Sequence, residues 1–239
     1  MESSAFKAGI AAAIHNGDRL VEDAKLLLEW GSVPTSYALA VLAQEEYAKA
    51  LILSLVDAGA LPWSPGVRRA LQDHVCKQLA SLILDYLSPD VEEFLRRYDP
   101  AAGAQSDEIF PPDVLNAINL ICHERIPRER DRWWVGPDDE PLDDNVSAIA
   151  DGRLDRKKQD AIYVRIGRTG AAISEPGGVH AESASFEVER SERIGRQLRP
   201  YGGTPGLRDD LDSEKLIGLF GLLTGRISRE DFGAYWWVR

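Results

Sequence analysis

Residues 36–57 read SYALAVLAQEEYAKALILSLVD, and this stretch decides the fold. Apolar side chains fall on nearly every face of the turn, which marks a helix enclosed by other helices. Its exceptions are Gln44, Glu45, Glu46 and Lys49. An enclosed helix needs amphipathic partners, and the flanking sequence supplies them. Upstream, Phe6, Ile10, Ala13, Ile14, Leu20, Val21, Ala24, Leu27 and Leu28 recur with helical spacing, so an amphipathic helix runs to about Gly31. Downstream, Ser64-Pro65 offers an N-cap and a first-turn proline for a third helix, with Val67, Leu71, Val75, Leu79, Leu82, Ile83 and Tyr86 on one stripe.

Further along, Ser88-Pro89 starts a short acidic helix over 89–98, and Pro111-Pro112-Asp113 opens another through about Glu124. Residues 127–151 carry Pro127, Gly136, Pro137, Pro141 and the acids Asp138 to Glu140, and read as a long loop inserted in the bundle. A helix at 153–160 leads to a strand from Ala161 to Ile166, turned at Arg168-Thr169-Gly170 into a short β-hairpin over about 161–174. A charged helix at 183–199, a Gly and Pro linker at 200–206 and two further helices complete the chain, the last beginning at Ser228 with a capping-box variant. The fold class is all-α: a single domain over 1–239, with 200–239 as a C-terminal extension.

Composition agrees with a globular protein: 44% of residues are hydrophobic and 28% are charged. The longest apolar runs, Tyr37 to Ala43 and Ile217 to Leu223, fall far short of the ~20 residues of a membrane span. Glu2 precedes the first cation, Lys7, and His15-Asn16 interrupts the alanine-rich start, so no secretory signal is expected and the cytoplasm is the expected location. Cys76 and Cys122 stand apart from each other and from paired histidines, which predicts reduced thiols and no zinc site. The 28 Lys and Arg against 39 Asp and Glu leave a net charge of -11, so any contact with RNA has to be local.

Glu45, Glu46 and Lys49 lie where periodicity demands burial, and a buried carboxylate needs a partner. The spacing predicts an i,i+4 pair of Glu45 with Lys49, and a cluster uniting them with His74 and Lys77 of the third helix and Asn16 and Asp23 of the first. Such a cluster is either a hydrogen-bond network fixing helix register or a site. A carboxylate-bridged di-iron centre uses Glu-x-x-His pairs, and no histidine here has Glu three residues before it. No Gly-x-Gly-x-x-Gly or Walker A loop occurs either, so neither metal nor cofactor is expected.

Asn16, Asp23-Ala24, the small and apolar run Ala38 to Leu42, Glu45-Glu46-Tyr47-Ala48-Lys49, His74-x-x-Lys77, Lys158-Gln159 and Tyr163-Val164, in that order, resemble the AbiV-type abortive infection proteins of the HEPN superfamily. The resemblance covers roughly 5–90 and 153–200. It implies a HEPN-like helical bundle, a homodimer, and, for many such proteins, metal-independent endoribonuclease activity from an Arg-x(4–6)-His motif supplied by both subunits. Arg69 and His74 fit that motif, as do Arg68 and His74, while Arg156 and Tyr163 have the later spacing with tyrosine in place of histidine. Imidazoles ionise near ~6.5 and phenols near ~10, so His74 is the better proton carrier of the two residue types. Against the pairing, five residues of helix turn side chains by roughly 140°.

The candidate catalytic set is therefore His74, Arg69, Glu45, Lys49, Arg156 and Tyr163. For substrate binding, Lys77, Lys157 and Lys158 offer cations, and Arg130, Arg132, Trp133 and Trp134 combine phosphate-binding charge with stacking faces. The same tryptophans fit an exposed loop docked on the bundle or on a partner, as does the terminal Trp236-Trp237. Arg193 and Arg196 follow Glu189 and Glu192 by four residues, which predicts pairing within that helix. Three functions stay open: an antiphage protein acting on tRNA or mRNA, a non-enzymatic module that binds a phage or host protein, and a sensor of a nucleotide or metabolite.

Overall fold

A computed structural model describes residues 2–89, 110–127, 142–199 and 205–228, with Glu230 and Phe232. Helix α1 (Glu2–Glu29) ends at Gly31, whose φ of 78° lets Ser32 and Gly31 return their N–H groups to Leu27 and Leu28. Helix α2 (Val33–Asp57) is the enclosed helix, burying residues on all sides, and it stops in the same way at Gly59. Around it stand α1, α4 (His74–Leu87) and α8 (Ala181–Gln197). Helix α5 (Pro112–Leu120), prolonged by a π-helical turn (Ile121–Arg125), packs on α4. Helices α6 (Asp144–Ala150) and α7 (Arg153–Asp160), strands β1 (Arg165–Ile166) and β2 (Ala172–Ser174), a 3-10 turn (Pro176–Gly178) and α9 (Leu211–Leu223) complete the described elements.

The all-α class holds, and among the described residues strand is confined to one small antiparallel pair. Three local expectations change. The helix expected from Ser64 is two helices, α3 (Pro65–Ala70) and α4, because the Asp73 carboxylate accepts the Cys76 N–H at 2.8 Å and caps a new helix. The segment expected as a loop to residue 151 becomes α6 from Asp144, because Asp143 caps the Asn145 and Val146 N–H groups. The strand expected from Ala161 starts only at Arg165, since Ile162 and Tyr163 still return their N–H groups to Gln159. The helix expected over 89–98, residues 128–141, the linker at 200–204 and the chain beyond Ser228 except Glu230 and Phe232 lie outside the described residues. Among the described residues, no helix is long and apolar enough to cross a membrane.

Tyr47 shows how the bundle is locked. Its ring lies between Gly17 of α1 and Gly195 of α8, and its hydroxyl donates to Asp18 at 2.8 Å, which also pairs with Arg199. A Cβ at Gly17 would stand 2.4 Å from the ring. Gly17→Ala is therefore expected to destabilise by about 1–3 kcal/mol, read as a lower melting temperature in thermal denaturation. An unchanged melt would show that the ring has room to move.

Burial also governs both cysteines, which are free; it pushes the Cys76 thiol up to about 12 and that of Cys122 higher still.

Candidate functional site

Gln44 and Glu45 are consecutive on α2 and so point about 100° apart. Gln44 faces α8, where its amide donates to the Glu187 carboxylate at 2.8 Å and to the Ser191 hydroxyl at 3.1 Å. Glu45 faces the other way, towards α4 and α7, and is 1% exposed. There it collects four donors. Lys77 approaches Oε2 at 2.9 Å and Lys158 approaches Oε1 at 2.5 Å. Gln78 donates to Oε1 at 3.1 Å, and Nδ1 of His74 lies 2.7 Å from Oε2. The spacing of His74, Lys77 and Gln78 on α4 puts all three on the face that meets α2.

Lys158 is the second hub. Its ammonium also touches Asp155 at 2.8 Å, one turn back on α7, and stands 3.1 Å from Nδ1 of His74. Glu45 and Asp155 thus balance Lys77 and Lys158. The Glu45 carboxylate at 2.7 Å is nearer to Nδ1 than the Lys158 ammonium at 3.1 Å, which favours the proton on that nitrogen and leaves Nε2 as the proton acceptor. The His74 side chain is 48% exposed, and among the described residues no hydrogen bond engages Nε2. The ring is anchored from behind and open in front.

Burial alone would raise the Glu45 carboxyl, but the hydrogen bonds from Lys158 and Lys77 overcome it and hold the group below its ordinary value of 4.5. A lowered carboxyl stabilises the fold above the unfolded-state value, and that contribution disappears as pH falls through the folded-state value. The stability advantage of the wild type over Glu45→Gln should therefore shrink below pH 4.5 in urea titrations from neutral to acid pH. A constant difference across that range would contradict the assignment.

The remaining expected residues lie elsewhere. Lys49 pairs with Glu46 at 2.6 Å, not with Glu45, because Glu45 is turned inward. Asn16 and Asp23 are held by Arg19 on the outer face of α1 and stay out of the cluster. Arg69 sits before the break between α3 and α4 and donates to the Ile126 carbonyl at 3.3 Å. No described hydrogen bond or ion pair joins it to His74, and the rotation of a continuous helix no longer relates the two. Arg156 is exposed and donates to the Asp151 carbonyl, and Tyr163 is 61% exposed. Lys157 lies over the Tyr37 ring at 4.7 Å. Arg130, Arg132, Trp133 and Trp134 lie outside the described residues. Arg190 and Arg193 cross to Asp85 of α4, and Glu192 meets Lys25 of α1, so these charges bind helices together; along α8 itself Arg190 also pairs with Glu187 at 3.6 Å.

Asp155 and Gln78 were not singled out from sequence. The i,i+3 placement of Asp155 and Lys158, beside Leu154 at i,i+4, is the sequence signal for that face. Glu45, His74 and Asp155 each offer a ligand atom within 4.8 Å of one another. A cation there would have to displace Lys158, whose ammonium already touches all three.

The family model described as AbiV (HEPN_AbiV) matches residues 5–196. No curated protein and no solved structure matches the chain.

Proposed function

Since the chain belongs to the AbiV family of HEPN proteins, we propose that this abortive-infection protein impairs RNA metabolism or translation as a metal-independent endoribonuclease, with His74 as its proton carrier. The supporting observation is the buried Glu45 carboxylate on Nδ1 of a half-exposed His74, which orients the ring and frees Nε2 to take a proton from a ribose hydroxyl. Lys77 and Lys158 hold Glu45 in place and ionised. Arg156 and Lys157, exposed on α7 and engaged by the Asp151 carbonyl and the Tyr37 ring, are the cations closest in sequence to Lys158 that could also meet RNA phosphates. The protein acts in the cytoplasm, as a homodimer, on tRNA or mRNA.

The test is incubation of purified protein with total RNA and with tRNA, beside His74→Ala. Cleavage by the wild type that is lost in the variant supports the reading. Absence of cleavage, or cleavage indifferent to His74, overturns it.

One observation favours a second reading. Arg69, the arginine of the short motif, is committed to the Ile126 carbonyl and has no described hydrogen bond with His74. On that reading the buried cluster fixes helix register, and the protein works by binding a phage or host protein. Protection against phage would then survive His74→Ala and be lost on deleting 127–151.

A further inference from the structure

Nine large apolar side chains are exposed among the described residues, and five of them fall within 162–173: Ile162, Tyr163, Val164, Ile166 and Ile173. Ile166 is 61% exposed and Ile173 63%. Monomers seldom show water so dense an apolar patch. The same segment holds the β1–β2 pair, with Ile166 opposite Ala172 and a tight turn at Gly170. A sheet of two strands has an unpaired edge on each, and a bare two-stranded hairpin is marginal in water. Both features call for a further strand.

Charge indicates whose strand it is. In a chain of net charge -11, residues 160–175 contain Asp160, Arg165, Arg168 and Glu175 and are neutral. Asp160 and Arg165 pair with each other at 2.9 Å. Arg168 and Glu175 are both exposed and, among the described residues, have no ion partner. They flank β2, the base before it and the acid after it. Set antiparallel to a copy of itself, β2 brings each base towards the other copy's acid. With Arg165 already paired to Asp160, a nucleic acid would find one base, Arg168, offset by the acid Glu175, whereas a second copy finds complementary charge and matching apolar surface.

We propose that the 162–175 hairpin face is the contact between two copies of this chain, joined antiparallel through β2 about a two-fold axis, with Arg168 of each copy against Glu175 of the other. This rests on the homodimer reading and adds the surface that forms it.

The experiment is light scattering on the full chain over a concentration series, with circular dichroism confirming the fold of each variant. The wild type should have the mass of two 26.5 kDa chains. Ile173→Asp should weaken association by about tenfold or more. Arg168→Glu should weaken it to a smaller degree, and adding Glu175→Arg should restore it. Ala172→Cys should give an oxidised dimer in non-reducing electrophoresis, since Cys76 and Cys122 are buried and do not compete. A wild type that stays monomeric overturns both the homodimer and this face. A dimer that withstands Ile173→Asp and Arg168→Glu overturns this face alone and leaves the homodimer standing.

Discussion

Replacing Glu45 by alanine should destabilise the protein by about 3–5 kcal/mol, because it leaves buried charges without a partner. The Lys77 and Lys158 side chains are only 7% and 6% exposed, and Glu45 is a carboxylate that both of them touch. Asp155 still offsets Lys158, but Lys77 has no other described ion partner. For a chain of this size the loss corresponds to a fall in melting temperature of roughly 6–20 °C. A companion variant separates stability from mere disruption: Glu45→Leu with Lys77→Met and Lys158→Met removes the charges together and should recover much of the loss. A melt of Glu45→Ala within about 1 kcal/mol of wild type would mean that water reaches these ammonium groups.

His74→Ala should lower RNA cleavage by about 10²–10⁴-fold, the usual contribution of a positioned acid-base group. The fold should survive, since the ring is half-exposed and the Glu45 carboxylate keeps Lys77, Lys158 and Gln78. Glu45→Gln separates orientation from proton transfer. Its amide keeps the shape but no longer obliges the proton to sit on Nδ1, so activity should fall while His74 stays in place. The rate should be followed on a defined tRNA, with melting curves run in parallel. Equal rates for wild type and His74→Ala would return the cluster to a purely structural role, which the loss of stability in Glu45→Ala would still support.

The helices were largely legible because each carries its own evidence: α1 its apolar stripe, α2 its apolar circumference, α3 its Ser64-Pro65 start. The break before His74 was harder to see. It depends on the Asp73 carboxylate folding back onto the Cys76 N–H, a choice between two local hydrogen bonds that apolar spacing does not reveal. The charge pairs misled for a related reason. Counting four residues gives Glu45–Lys49 and Glu189–Arg193, yet three-dimensional packing turns Glu45 inward and sends Arg193 to Asp85.

From the sequence alone came the all-α class, the enclosed second helix, the family, and a polar cluster holding both Glu45 and His74, which meet at 2.7 Å. Only the tertiary structure decided that Lys158, 113 residues further on, completes the cluster. Its helix reads RLDRKKQD, and its one apolar residue, Leu154, lies four residues before Lys158 on the inner face without saying what the lysine meets there. Periodicity records which face of a helix is apolar, a local property. Burial of a charge depends on what packs over it, and the need of Glu45 for a cation says that a partner exists without saying where in the chain it lies.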